Sequence, residues 1–277
     1  MIYSLEEVSK EYATSKGSVR AVSDLTFNIK PGERVALIGP SGSGKTTLFR
    51  VLNATLRPTR GVLRFNERNV SEMSGRELRA MRRQVGTIYQ QHFLVPSLTA
   101  LENALCGRLG HWSLLHTIRS LVRPARFDDE QAMAALEAVG LADKRNARAD
   151  ELSGGQQQRL AIARVLMQEP DVILADEPFA SLDPALTETI ISLLVGITQN
   201  GKRALVVTLH DVELALRSFP RLVALRHGRL AFDTSPAEVT RKEINALYRE
   251  EAEKQTGPGE SERLKELDGS ESFCETG

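Results

Sequence analysis

Apolar positions along the chain follow two rhythms. Short apolar runs at Ile2–Val8, Val19–Ile29, Arg34–Ile38, Gly61–Phe65, Val85–Tyr89, Val172–Ala175 and Ala204–Leu209 read as strands. Helix-period segments alternate with them at about Gly44 to Ala54, Ser153 to about Gln168, Pro184–Thr198, Val212–Ser218 and Pro236–Glu250. Pro31-Gly32 marks a turn, and Leu222–Leu225 and Arg229–Phe232 form a hairpin across His227-Gly228. Ser74-Gly-Arg-Glu77 and Thr99-Ala-Leu-Glu102 have the form of capping boxes. From Thr99 to about Gly140 the pattern is helical, with Asp128 as a cap and Gly140 as the stop. No strand signal occurs between about 91 and 171.

This order predicts an α/β domain over residues 1–250, with a helical block inserted at about 91–168. Hydrophobic residues make up 41% and aromatics only 5%, so the core is aliphatic. Formal net charge is zero, which gives no global basic excess for nucleic acid. The balance is uneven, because residues 251–277 carry eight acids and three bases, net −5. That tail turns polar beyond Gly257-Pro258-Gly259, and disorder is expected there. The two cysteines, Cys106 and Cys274, show no metal-ligand spacing and fit a reducing compartment. No signal peptide and no membrane-length apolar run are read, so any work at a membrane goes through a partner.

Gly39-Pro40-Ser41-Gly42-Ser43-Gly44-Lys45-Thr46, followed by Thr47, matches a phosphate-binding loop. Its glycines let backbone N–H groups face phosphates, Lys45 supplies a point charge, and the Thr46 hydroxyl can ligate Mg²⁺. Val172-Ile-Leu-Ala-Asp-Glu177 fits a Walker B strand. It would deliver Asp176 to the Mg²⁺ shell and set Glu177 beside the γ-phosphate to polarise water.

Leu152-Ser153-Gly154-Gly155-Gln156 decides the class. Ser153 and Gln156 form a third capping box, and the two glycines leave amides open to an anion. With this segment the sequence resembles the ABC ATPase family. The resemblance implies a RecA-like P-loop NTPase core with an antiparallel β subdomain and an inserted α-helical subdomain. It also implies ATP and Mg²⁺ as cofactors. Gln90 matches the Q-loop glutamine, a metal or water contact. Ser181-Leu182-Asp183 matches the D-loop, His210 the switch histidine, and Tyr12 the aromatic that stacks on adenine. In that family ATP is held between the P-loop of one subunit and the signature segment of another. A homodimer is therefore implied, together with integral-membrane permease subunits and, indirectly, a periplasmic or surface solute-binding protein. The expected location is the cytoplasmic face of the membrane.

Tyr89-Gln-Gln-His-Phe-Leu-Val-Pro-Ser-Leu-Thr-Ala-Leu-Glu-Asn-Ala-Leu105, Gly107-Arg-Leu-Gly110, Trp112 and the stretch to about Pro124 look more narrowly like phosphonate-import ATPases. Asp211, where glutamine is frequent, and the acidic tail depart from that pattern. A cassette for another solute and a non-transport ABC ATPase are the alternatives. The interval from Lys45 to Leu152 is too short for the coiled coils of the latter, and a P-loop kinase gives Leu152–Gln156 no role. Between Gly107 and Phe127, Arg108, Arg119, Arg123, Arg126, His111 and His116 occur without an acid. That stretch reads either as a solvated basic face or as a surface toward the permease or anionic lipid. Trp112, Leu114 and Leu115 are read as core of the helical block.

Overall fold

The computed structural model describes residues 1–15, 17–112, 126–179, 183–198, 201 and 203–255. Its main sheet centres on β3 (Arg34–Ile38), flanked by β8 (Ala204–Leu209) and β9 (Arg221–Arg226). Beyond β8 lie β7 (Val172–Ala175) and β6 (Val85–Ile88), and these five strands are mutually parallel. β10 (Arg229–Thr234) adds antiparallel to β9 across the expected His227-Gly228 turn. Both turn residues have positive φ, 51° and 75°, as a tight hairpin demands.

Successive residues on a strand face opposite ways. Ala36, Ile38, Ile173, Ala175, Leu205 and Val207 enter one apolar cluster, shared with the helical block. Val35, Leu37, Val172, Leu174, Ala204 and Val206 enter a second, shared with the smaller sheet. Burial on both faces is why these strands read as near-continuous apolar runs.

The smaller sheet is antiparallel, in the order β2 (Gly17–Ile29), β1 (Tyr3–Thr14), β4 (Arg60–Phe65), β5 (Arg68–Asn69). β1 runs well past Val8, where the expected strand ended. Glu7 and Asp24 take φ of 51° where the β1–β2 register shifts. These bulges break the period-2 alternation and hide the strand's second half. Fully buried Tyr3 donates its hydroxyl to the Leu52 carbonyl at 2.8 Å, and burial pushes the phenol pKa up. Leu52 ends α1 (Lys45–Leu52), so this sheet grips the helix that follows the Gly-rich loop.

α2 (Gly75–Gln84), α3 (Ala100–Leu105) and α5 (Gly154–Gln168) each open on the capping box expected at Ser74, Thr99 and Ser153. The continuous helical stretch expected from Thr99 to Gly140 is corrected. α3 ends at Leu105 and passes into a 3-10 turn at Cys106–Arg108, where Gly107 lies against the Arg164 carbonyl of α5. α4 (Arg126–Ala138) resumes later, with Asp128 inside its first turn rather than capping it. Gly140, at φ 66°, ends that segment as expected. Trp112 packs on the core. Leu114, Leu115, His116, Arg119 and Arg123 lie outside the described residues. Arg108 is internally paired, to Glu169 at 2.9 Å and Gln131 at 2.8 Å.

α6 (Pro184–Thr198) and α7 (Val212–Ser218) fall where expected. α8 (Arg241–Gln255) starts five residues later than the expected Pro236, because Thr240 and Glu243 form a further reciprocal cap. It runs to Gln255, beyond the expected limit at residue 250. The tail from 256 lies outside the described residues, and no described helix is long and apolar enough to cross a membrane.

A Cβ at Gly107 would collide with the Arg164 carbonyl oxygen, which as backbone of α5 cannot swing aside. Gly107→Ala is expected to destabilise the fold by about 1–3 kcal/mol, read as a lower midpoint in urea unfolding.

Candidate active site

The loop after β3 is a strained turn that only glycine allows. Gly39, Gly42 and Gly44 have φ of 147°, 75° and 104°. Gly44 caps α1 from a left-handed conformation without a side-chain bond, which leaves the helix's first amides open to an anion. Lys45, 5% exposed, donates from Nζ to the Gly39 and Pro40 carbonyls at 2.6 and 3.1 Å. Ser43 Oγ is buried and has no hydrogen-bond partner among the described residues.

The loop is held from behind by the C-terminal part of the chain. The Gly228 amide donates to the Ser43 carbonyl at 2.9 Å. The Gly39 amide donates to the Tyr248 hydroxyl of α8 at 3.1 Å.

Opposite the loop stand the ends of β7 and β8. A cleft of about 360 Å³ is lined by Ser41–Thr47 together with Ala21, Glu177 and His210. His210 Nε2 lies 2.6 Å from Glu177 Oε1. Glu177 adopts φ 47°, a conformation that costs a non-glycine residue about 1–3 kcal/mol. Fully buried Thr208 accepts from the Glu177 amide at 2.7 Å and donates to Asp176 Oδ1 at 2.9 Å. Burial pushes the Asp176 carboxyl pKa up. The Thr208 bond opposes this, Glu177 adds to it, and Arg50 and Lys45 pull it down.

Gln90 follows β6 and is exposed. The segment after it is pinned to α5, since Arg164 donates to the His92 and Phe93 carbonyls at 2.8 and 2.6 Å. Burial pushes the His92 pKa down. Leu152 is buried, while Ser153 and Gly154 stand exposed at the start of α5. None of Leu152–Gln156 lines the Lys45 cleft. Asp183 caps α6, its Oδ1 accepting from the Leu186 amide at 2.9 Å. Ser181 and Leu182 lie outside the described residues. Tyr12 sits in β1 with Lys10 Nζ 5.7 Å from its ring centroid, and it is not in the cleft's lining.

Sequence reasoning missed Thr208, Arg164 and Tyr248. Thr208 was detectable as a lone hydroxyl in an otherwise apolar run that ends just before His210. The other two carry no local signal.

The donors fit Mg²⁺. Asp176 and the Thr46 and Gln90 oxygens are hard ligands, of the kind that bind Mg²⁺ through one or two carboxylates plus phosphate. No group of three or more His, Cys, Asp or Glu among the described residues could hold a metal unaided.

A family profile described as ABC transporter matches residues 22–180. A "Phosphonates import ATP-binding protein PhnC" of Anaeromyxobacter dehalogenans is 47% identical over 84% of this chain, which spans only 46% of that relative's length. The proteins of that name from Wolinella succinogenes and Lactococcus lactis are 40% and 39% identical over 89% of the chain, which spans 88% and 98% of them. Among solved structures, the dimeric post-hydrolysis state of the ATP-binding cassette MJ0796 bound to ADP and Pi superposes with TM-score 0.72. It is 32% identical over 84% of this chain and 98% of its own. CbiO1 from Clostridium perfringens gives TM-score 0.73 at 28% identity, over 89% and 94%.

Lys45→Met keeps the stem and removes the charge. Affinity for a fluorescent nucleoside triphosphate is expected to fall about ten- to a hundredfold, the worth of a charge-assisted bond. Fluorescence titration measures it.

Proposed function

This chain belongs to the ABC transporter family, and from that premise we propose that it is the ATP-hydrolysing subunit of an importer. In this reading a dimer couples ATP turnover to solute uptake through a separate membrane permease. One observation carries the proposal. The Lys45 loop shares a cleft with Glu177 and His210, whereas the signature turn at Ser153–Gln156, exposed at Ser153 and Gly154, lies outside it. Each chain then holds half of two sites, and a second copy brings Ser153–Gln156 to the phosphates.

The chemistry follows from the residues. Phosphates occupy the open amides of Gly44–Thr47, with the α1 dipole behind them, while the Ser43 amide is engaged by the Pro40 carbonyl. Lys45 Nζ leaves the Gly39 and Pro40 carbonyls for the β- and γ-phosphate oxygens. The Glu177 carboxylate accepts the proton of the water that attacks the γ-phosphorus. His210, bonded to Glu177 here, turns its Nε2 to the γ-phosphate and holds it in line. Asp176, Thr46 and Gln90 would hold Mg²⁺, which would supply neutralisation of the phosphate charge. Asp183 would reach the partner subunit, and Tyr12 would stack on adenine.

The relatives' names and the likeness around residues 89–124 support phosphonate, or a related phosphorus oxyanion, as cargo. The subunit then sits peripherally on the cytoplasmic face of the membrane. A solute-binding protein acts across that membrane, and nucleic acid has no part. The acidic residues beyond α8 form a polar appendage to the domain.

Glu177→Gln preserves the shape of the site and removes the proton acceptor. Turnover is expected to fall at least about a hundredfold, while ATP binding persists and a dimer accumulates in size-exclusion chromatography with ATP. Wild-type hydrolysis by that variant refutes the assignment.

A further inference from the structure

A threonine fully buried in an otherwise apolar strand is out of place energetically. The run Ala204-Leu-Val-Val-Thr-Leu209 would pack as well with valine at 208, and a buried hydroxyl costs free energy unless it is bonded. At Thr208 donor and acceptor are both used, by the Asp176 carboxylate and by the backbone of Glu177, the latter a residue that lines the Lys45 cleft. Oγ1 donates to Asp176 Oδ1 at 2.9 Å and accepts from the Glu177 amide at 2.7 Å.

The second bond is the more telling. Glu177 has a left-handed backbone that its Cβ disfavours, so something must hold its peptide in place. The Thr208 hydroxyl takes the amide at that peptide. Thr208 is the penultimate residue of β8, and His210 follows directly on the strand's last residue, Leu209. One strand end therefore fixes the Asp176 carboxylate, the backbone that aims Glu177, and the imidazole 2.6 Å from the Glu177 carboxylate.

We propose that Thr208 is a positioning residue for hydrolysis, holding Asp176 and Glu177 as one rigid pair against His210. The inference rests on the reading of Glu177 as the proton acceptor. Thr208 is fully buried and does not line the Lys45 cleft, so its part is indirect. Its hydroxyl sets the direction of the Glu177 side chain by locking the strained peptide, so its removal lets the carboxylate drift from the water's position. Misplacement on that scale slows chemistry without weakening phosphate binding, since the Lys45 loop lies on a different strand.

The test compares Thr208→Val and Thr208→Ser with Glu177→Gln in the full-length protein. Valine keeps the branched shape and the packing, and serine restores the hydroxyl. For Thr208→Val, kcat is expected to fall about ten- to a hundredfold. Its KM for ATP and its affinity for a fluorescent ATP analogue should stay within about threefold of wild type, with no drop in melting temperature. Thr208→Ser should recover kcat to within about threefold. The proposal is overturned if Thr208→Val turns over at the wild-type rate, if serine and valine are equally impaired, or if the loss comes with a lower melting temperature. Glu177→Gln separates the two levels. If it is inactive while Thr208→Val is normal, only the role of Thr208 falls. If it hydrolyses normally, the reading of the cleft falls as well.

Discussion

Four apolar strands, β6, β7, β8 and β3, pair in parallel only because both faces of their sheet are covered. That constraint decides where polar chemistry can go. Side chains along the strands are committed to one core or the other. The first polar residues with any freedom are those just past the carboxyl ends, where open α/β sheets bind ligands. Gly39, Asp176, His210 and Gln90 each follow such an end within two residues. The order β3-β8-β7-β6 then sets their sequence across the cleft, with His210 between the Gly-rich loop and the acidic pair.

What the sequence disclosed follows from the same cause. Buried parallel strands leave dense apolar runs, and reciprocal caps leave Ser or Thr with Glu or Gln three residues on. The main sheet, α2, α3 and α5 were therefore legible from residue types alone. So were the glycines of the loop, because their backbone angles exclude other residues. The far half of β1 was not legible, since its bulges at Glu7 and Asp24 break the alternation. Nor was the end of α3, because Gly107 answers to the Arg164 carbonyl, 57 positions away by their residue numbers. Thr208 lay in plain view but looked like one more β-branched residue. Only its two bonds separate it from valine.

The segment after Gln90 and the signature helix form a single mechanical piece. Arg164 grips two successive carbonyls beyond β6 with one guanidinium. Its own burial weakens its hold on charge, pulling its pKa down, which the fold tolerates because both carbonyls face it. The residues around His92 are thus tied by side-chain hydrogen bonds to the helix that begins at Gly154.

The Tyr248 hydroxyl on the Gly39 amide has a consequence for what counts as the machine. The family profile ends at residue 180, yet the loop it contains leans on residues beyond that boundary. The hairpin turn at Gly228 steadies one side of the loop and the closing helix its root. A module cut at the edge of its recognisable pattern would carry all the named motifs and lack the scaffolding that keeps the phosphate cradle in shape. Recombination that grafts such a cassette onto a foreign carboxyl end inherits the chemistry only if it also inherits a prop for Gly39.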